Sequence, residues 1–201
     1  MTKCILFDAD GVLTLPEDVF SIVYARSHAL DPELFEDFFR NEWQSIVTGA
    51  KDLKEHMVAN PELWQWEGSV DELLEYWFKT EDVRNEELLK IIADIKGRGI
   101  PCYLATDQEK YRAEYMKNVM FKDLFSGYFV SAELGVTKTD SRFFELVLQK
   151  LGDDYPDLKP NEVIFFDDSE SKINTAKALG IDARLFKSNQ QIKDLLNEAQ
   201  R

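Results

Sequence analysis

The chain has 201 residues, a formal net charge of −14 and a hydrophobic fraction of 44% that includes 14 Phe, enough apolar side chain for a sizeable core. Its acidity, with no basic patch of note, argues against nucleic acid as a partner. No apolar run approaches the roughly 20 residues that span a bilayer, which argues against a membrane protein.

Taken in chain order, the first element is a short apolar run from Lys3 to Phe7, bounded by Asp8-Ala9-Asp10-Gly11, which reads as a buried strand. It starts almost at the N-terminus without a signal-peptide pattern, so a cytoplasmic location is expected. Two carboxylates two residues apart repel each other unless a cation or a shared proton compensates. The loop therefore points to a divalent metal site, to a catalytic pair, or to an ordinary Asx-turn.

From Pro16 to about Thr80 the spacing is helical. Val19, Phe20, Val23 and Tyr24 share one face, and Leu34, Phe35, Phe38 and Phe39 repeat it. Leu53, His56 and Met57 form a third amphipathic segment, and Leu73, Leu74, Trp77 and Phe78 a fourth. Asp31-Pro32, Gly49 and Asn60-Pro61 punctuate them. This predicts a bundle of about four helices that contains Trp43, Trp64, Trp66 and Trp77; the Trp43–Gly49 segment with Trp64 and Trp66 reads as bundle core in the first place and as the lining of an entrance in the second.

From residue 86 helices and strands alternate. Helices are predicted over Glu86–Lys96, Glu109–Val119, Ser141–Leu151 and Ser169–Leu179, and strands over Ile100–Ala105, Gly127–Val130, Val163–Phe166 and Ala183–Phe186. Such alternation predicts an α/β fold: a Rossmann-like parallel sheet covered on both faces, with the helical bundle inserted after the first strand. The core would be residues 1–15 and 81–201, and the bundle residues 16–80. Cys4 and Cys102 fall in strands, belong to no CxxC pair and read as structural thiols. His28 and His56 sit in helical stretches and suit packing better than catalysis.

Ligands of open parallel sheets bind beyond the carboxyl ends of the strands. Asp8 and Asp10 follow the first strand, Thr106 and Asp107 the second, Ser131 and then Lys138 the third, and Asp167 and Asp168 the fourth. If those strands are neighbours, up to five carboxylates meet one hydroxyl and one ammonium, a set best balanced by a hard cation with oxygen ligands such as Mg2+. Taken singly, Thr106 is equally a turn residue, Lys138 a solvated lysine, and Asp167-Asp168-Ser169 a helix N-cap.

In this arrangement the chain resembles the haloacid dehalogenase-like superfamily, chiefly its phosphatases with a helical C1-type cap. The residues that carry the resemblance are Asp8-x-Asp10-Gly11-Val12-Leu13, Thr106, Lys138 within Ser131-x-Glu133-x-Gly135-Val136-x-Lys138, and Phe165-Phe166-Asp167-Asp168-Ser169. The resemblance implies a Mg2+-dependent hydrolase of a small phosphate monoester. Asp8 would be the nucleophile and Asp10 the general acid and base, with Thr106, Asp107 and Lys138 at the substrate phosphate. The metal would be held by Asp8, the backbone carbonyl of Asp10, Asp168 and Asp167.

The chain departs from the usual pattern at Thr139, where Pro is frequent, at Asp107, where Asn is common, and at Lys172, where Asp or Asn is common. Lys172 is expected to pair with one of the acids and to alter metal affinity. An acid at position 10 favours phosphate esters over halides, which need no protonation on departure. A phosphosugar mutase and a non-catalytic binding protein on this fold are the alternative readings. Residues 16–80 hold 14 Asp and Glu against 5 Lys and Arg. That is either a solvated acidic face or a field that disfavours leaving groups with further negative charge.

Overall fold

The computed structural model describes residues 2–198. Its centre is a five-stranded, wholly parallel sheet in the order β3-β2-β1-β4-β5. The strands are β1 (Cys4–Phe7), β2 (Cys102–Thr106), β3 (Gly127–Val130), β4 (Val163–Asp167) and β5 (Asp182–Leu185). The predicted strands are present with bounds shifted by one or two residues. Both faces of the sheet are covered, so side chains of alternate residues enter different cores. Ile5, Phe7, Leu104, Ile164 and Phe166 pack on one face with Ile92 and Ile95, while Cys4, Leu6, Tyr103, Phe129 and Phe165 pack on the other with Phe143, Phe144 and Val147.

Between β1 and β2 lie α1 (Phe20–Ser27), α2 (Trp43–Val47), α3 (Leu53–Ala59), α4 (Pro61–Trp64), α5 (Val70–Thr80) and α6 (Glu86–Gly97). A π-helical stretch, Phe38–Glu42, precedes α2. α7 (Lys110–Tyr115) continues into a second π-helical turn, Met116–Met120, and α8 (Ser131–Leu134) follows β3 directly. The rest are α9 (Ser141–Asp154), α10 (Glu170–Ala178) and α11 (Asn189–Glu198). The best-formed helix of the insertion is α5. Ser69 and Glu72 close a capping box at its start, and Leu73, Leu74, Trp77 and Phe78 form its buried stripe.

α1–α5 build a third buried cluster of their own, with Phe20, Tyr24, Phe35, Phe38, Trp64 and Trp77 among its members. Two antiparallel passages of chain join it to the sheet: Leu15 N donates to Val83 O, and Asn85 N donates to Leu13 O. A third contact is made sideways. The Ser131 hydroxyl, at the start of α8, donates to Val47 O at 2.6 Å and accepts from Gln108 N. A Cβ on Gly49 would lie 2.4 Å from Ala132 O, so this approach tolerates only glycine there.

Cys4 and Cys102 are buried free thiols, each pushed up to about 12 by burial, as structural cysteines should be. His56 packs against Phe38 and His28 against Tyr24. No helix among the described residues is long and apolar enough to cross a membrane.

Candidate active site

The order 3-2-1-4-5 makes β1 the strand from which the chain departs first to one side and then to the other, so a crevice opens beyond its carboxyl end. Asp8 is the first residue after β1. Its backbone N–H continues the ladder to Phe166 O at 2.9 Å, which fixes it beside Asp167 at the end of β4. The chain then turns sharply, and Ala9 O accepts from the backbone N–H groups of Val12, Leu13 and Thr14. Gly11 closes the turn at φ +78°, and a Cβ there would come within 2.1 Å of Asp168 Oδ2. The glycine is therefore the seat of the Asp168 carboxylate.

Lys138 is fully buried. Its Nζ lies 2.5 Å from Asp8 Oδ1 and 2.7 Å from Asp167 Oδ2, and it donates to Ala105 O at 3.1 Å. These three partners offset the cost of burying the ammonium. Asp107 fastens it from the other side by accepting from Lys138 N at 2.9 Å. Lys172 Nζ stands 3.6 Å from Asp8 Oδ2 and 3.5 Å from Asp107 Oδ2, so the expected pairing of this lysine with the acids is observed. Thr106 is buried at the end of β2, and Asp107 follows it at the cavity wall.

Asp8, Asp167 and Asp168 offer ligand oxygens within 4.8 Å of one another. Three carboxylates at this spacing, with Gly11 leaving room for the third, form a donor set suited to a hard divalent cation. Burial pushes Asp8 up to about 6, with repulsion from Asp167 adding to it and Lys138 opposing it. Asp168 is raised as well, first by burial and then by Asp8. In the ion-free protein, Asp8 holds a proton that the unfolded chain, at the ordinary 3.8, has released. The Asp8 contribution to ion-free stability, read as wild type against Asp8→Asn, is thus expected to fall as pH rises from about 4 to about 6. Cation affinity is expected to rise over the same interval, by about tenfold per pH unit, because the ligand must lose that proton. Thermal melts in EDTA and Mn2+ titrations at several pH values would read both slopes. Cation affinity that ignores pH below 6 would contradict the assignment of Asp8 as a ligand.

Asp10 has different company. Its carboxylate accepts from Thr14 Oγ1 at 2.8 Å, from Arg112 at 2.8 and 3.2 Å, and from Gln108 Nε2. Burial alone would raise it, but the Arg112 guanidinium and the Thr14 hydroxyl hold it below the usual carboxylate range. Arg112 also pairs with Glu81 at 2.9 Å, and Glu81 in turn accepts from Phe20 N at the first turn of α1. Arg112, Gln108 and Glu81 are functional candidates that the sequence reading missed. They come from a helix, a loop and the joint of the insertion, not from the strand ends that an apolar run marks in the sequence.

Beyond Asp10 a cavity of about 540 Å³ opens between sheet and bundle. Trp64 and Trp77 are buried as expected of core residues, but Trp77 also lines this cavity together with Trp43. Trp43 therefore takes the second reading, as a lining residue: the π-helical stretch before α2 brings Phe39 and Trp43 to the cavity wall.

Comparison with known proteins shows what the chain is similar to. The family model described as haloacid dehalogenase-like hydrolase matches residues 2–180. A sesquiterpene phosphatase of Aspergillus oryzae is 32% identical over 101 residues, which are 50% of this chain and 47% of that protein, so the chain spans about half the length of this curated relative. A HAD family enzyme of Bacteroides thetaiotaomicron, solved with magnesium and inorganic phosphate, superposes with a TM-score of 0.76 at 20% identity, covering 94% of this chain and 96% of the other. A HAD phosphatase of Thermococcus onnurineus gives 0.62 at 21% identity, covering 94% and 87%.

Proposed function

The chain belongs to the haloacid dehalogenase-like hydrolases, and we propose that within them it is a Mg2+-dependent phosphatase acting on a phosphate monoester. The observation that carries this reading is the Asp8 carboxylate, held between Lys138 and Lys172 at the end of the central strand, with a second acid, Asp10, two residues away. The magnesium and phosphate bound by the Bacteroides enzyme, and the activity named for the Aspergillus relative, support it.

Asp8 serves as nucleophile. One carboxylate oxygen attacks phosphorus, the bond from phosphorus to the alcohol oxygen breaks, and an aspartyl-phosphate forms. Asp10 gives its proton to the departing alkoxide. In the second half it takes a proton from the water that attacks the aspartyl-phosphate, which releases inorganic phosphate and restores Asp8. The carboxylate form enforced by Arg112 suits that second half. For the first half the proton must reside on Asp10, so its contact with Arg112 loosens when an ester enters the cavity that both residues line.

We assign to the Lys138 ammonium and the Thr106 hydroxyl the stabilisation of charge that builds on the phosphoryl oxygens. Asp107 acts at one remove, since its two oxygens are occupied in holding Lys138 and Lys172. Asp8, Asp167, Asp168 and the Asp10 carbonyl would hold Mg2+, which supplies charge neutralisation at the phosphoryl group when bound. We assign residues 1–15 and 81–201 to the catalytic core, and residues 16–80 to a C1-type cap that closes the site against water.

Purified protein is expected to hydrolyse p-nitrophenyl phosphate with Mg2+, to stop on addition of EDTA and to resume with excess Mg2+. Absence of turnover across a broad phosphate-ester panel would instead favour a binding protein on this fold.

A further inference from the structure

The cavity beside Asp10 is larger than a phosphate group requires. Its volume of about 540 Å³ lies within the range of sites that enclose a drug-sized ligand. Asp10, Thr14, Ser21, Glu81, Asp107, Gln108 and Arg112 supply its polar lining, and Leu15, Pro16, Val19, Phe39, Trp43 and Trp77 most of the rest. The three rings are mutually packed, with centroids 5.4 Å apart for Phe39 and Trp43, 5.7 Å for Trp43 and Trp77, and 6.3 Å for Phe39 and Trp77. Leu15 and Val19 remain 47% and 52% exposed, although most large apolar side chains of the fold are buried. Single exposed apolar residues need no explanation. Two that share one cavity with an aromatic triad make a continuous apolar lining, of the kind that marks a ligand site.

The charges of the lining narrow the ligand further. Among the described residues that line it, Arg112 is the one cation, and that guanidinium is already shared between Asp10 and Glu81. A second phosphate or a carboxylate on the leaving group would find no free positive partner and would face Asp107 and Glu81. Gln108 Oε1 and Arg112 Nε are buried without a hydrogen-bond partner, and both residues bind Asp10. Trp77 Nε1 is buried without a partner as well, so the unmet polar demand lies at the Asp10 end and at one point on the aromatic wall.

We propose that this cavity is the leaving-group site and that the substrate is the monophosphate of an uncharged, apolar alcohol, whose hydrocarbon lies against Phe39, Trp43 and Trp77. The proposal rests on the phosphatase reading above. Its test is kcat/KM with Mg2+ for methyl, butyl and octyl phosphate beside a hexose phosphate and a hexose bisphosphate. The value is expected to climb by up to about threefold to fourfold per methylene, giving at least about a tenfold gain from butyl to octyl, with the bisphosphate poorest of all. Val19→Asp should then reduce the octyl-to-methyl ratio at least about tenfold by placing a charge in the apolar lining. Val19 is exposed and occupies the N-cap of α1, where Asp is well tolerated, so this variant should fold. A flat chain-length series, or preference for the hexose esters, overturns the proposal while leaving the phosphatase reading intact. Hydrolysis of none of the esters removes both.

Discussion

Asp8→Asn is expected to lower phosphate-ester turnover by at least about 10^4-fold, the scale seen when a covalent nucleophile is removed. The substitution is nearly isosteric, and the local scaffold survives it. Asn retains the oxygen that accepts from Ala9 N, and Lys138 keeps Asp167 and Ala105 O. Melting temperature in EDTA should therefore stay within a few degrees of the wild type, so that lost activity reports chemistry rather than unfolding. A chemical signature accompanies the rate. Wild-type protein mixed with a radiolabelled ester and quenched in acid should carry hydroxylamine-sensitive label, and the variant should carry none. Turnover within tenfold of wild type, or label retained in the variant, would mean that another group attacks phosphorus.

Lys138→Met is expected to have the second-largest effect, on stability as well as on rate. It leaves Asp8 and Asp167 facing each other in a buried site without the ammonium that now joins them. Removing one partner of a buried ion pair costs about 3–5 kcal/mol, which in a domain of this size lowers the melting temperature by roughly 10 °C. Two rescues discriminate the cause. Saturating Mg2+ should recover part of the loss, because a cation again stands against the carboxylates, and so should adding Asp8→Asn, because one of the facing charges is gone. Neither rescue should restore turnover. A variant that melts with the wild type would show that Lys138 carries no such role in the fold.

Much of this site was readable from sequence because sheet chemistry is local. An apolar run ending in Asp or Thr declares both a buried strand and what stands at its tip, and Asp8, Thr106 and Asp167 follow that rule. The strand order was not readable, since nothing in Val163–Phe166 says that it pairs with β1 rather than with β3. Lys172 was legible only as a departure from pattern, and the structure gives it Asp8 and Asp107 as partners. α11 went unnoticed, although Ile192, Leu195 and Leu196 carry helical spacing and two of them are buried. Arg112, Gln108 and Glu81 were illegible for another reason. Their meaning depends on a contact spanning 102 positions in the case of Asp10 and Arg112, and no periodicity encodes such a contact.

The two lysines also settle the electrical accounts of the pocket. Asp8, Asp107, Asp167 and Asp168 bring four formal negative charges, and Lys138 and Lys172 return two. The chain thus neutralises half of its acidic cluster with its own side chains, which lets the sheet edge form before any ion arrives. Among these six groups the remaining deficit equals the charge of one divalent cation, and Asp10, Glu81 and Arg112 beside them add one further negative charge. Charge balance at the sheet edge and the spacing of Asp8, Asp167 and Asp168 thus favour the same kind of ion, a hard divalent cation.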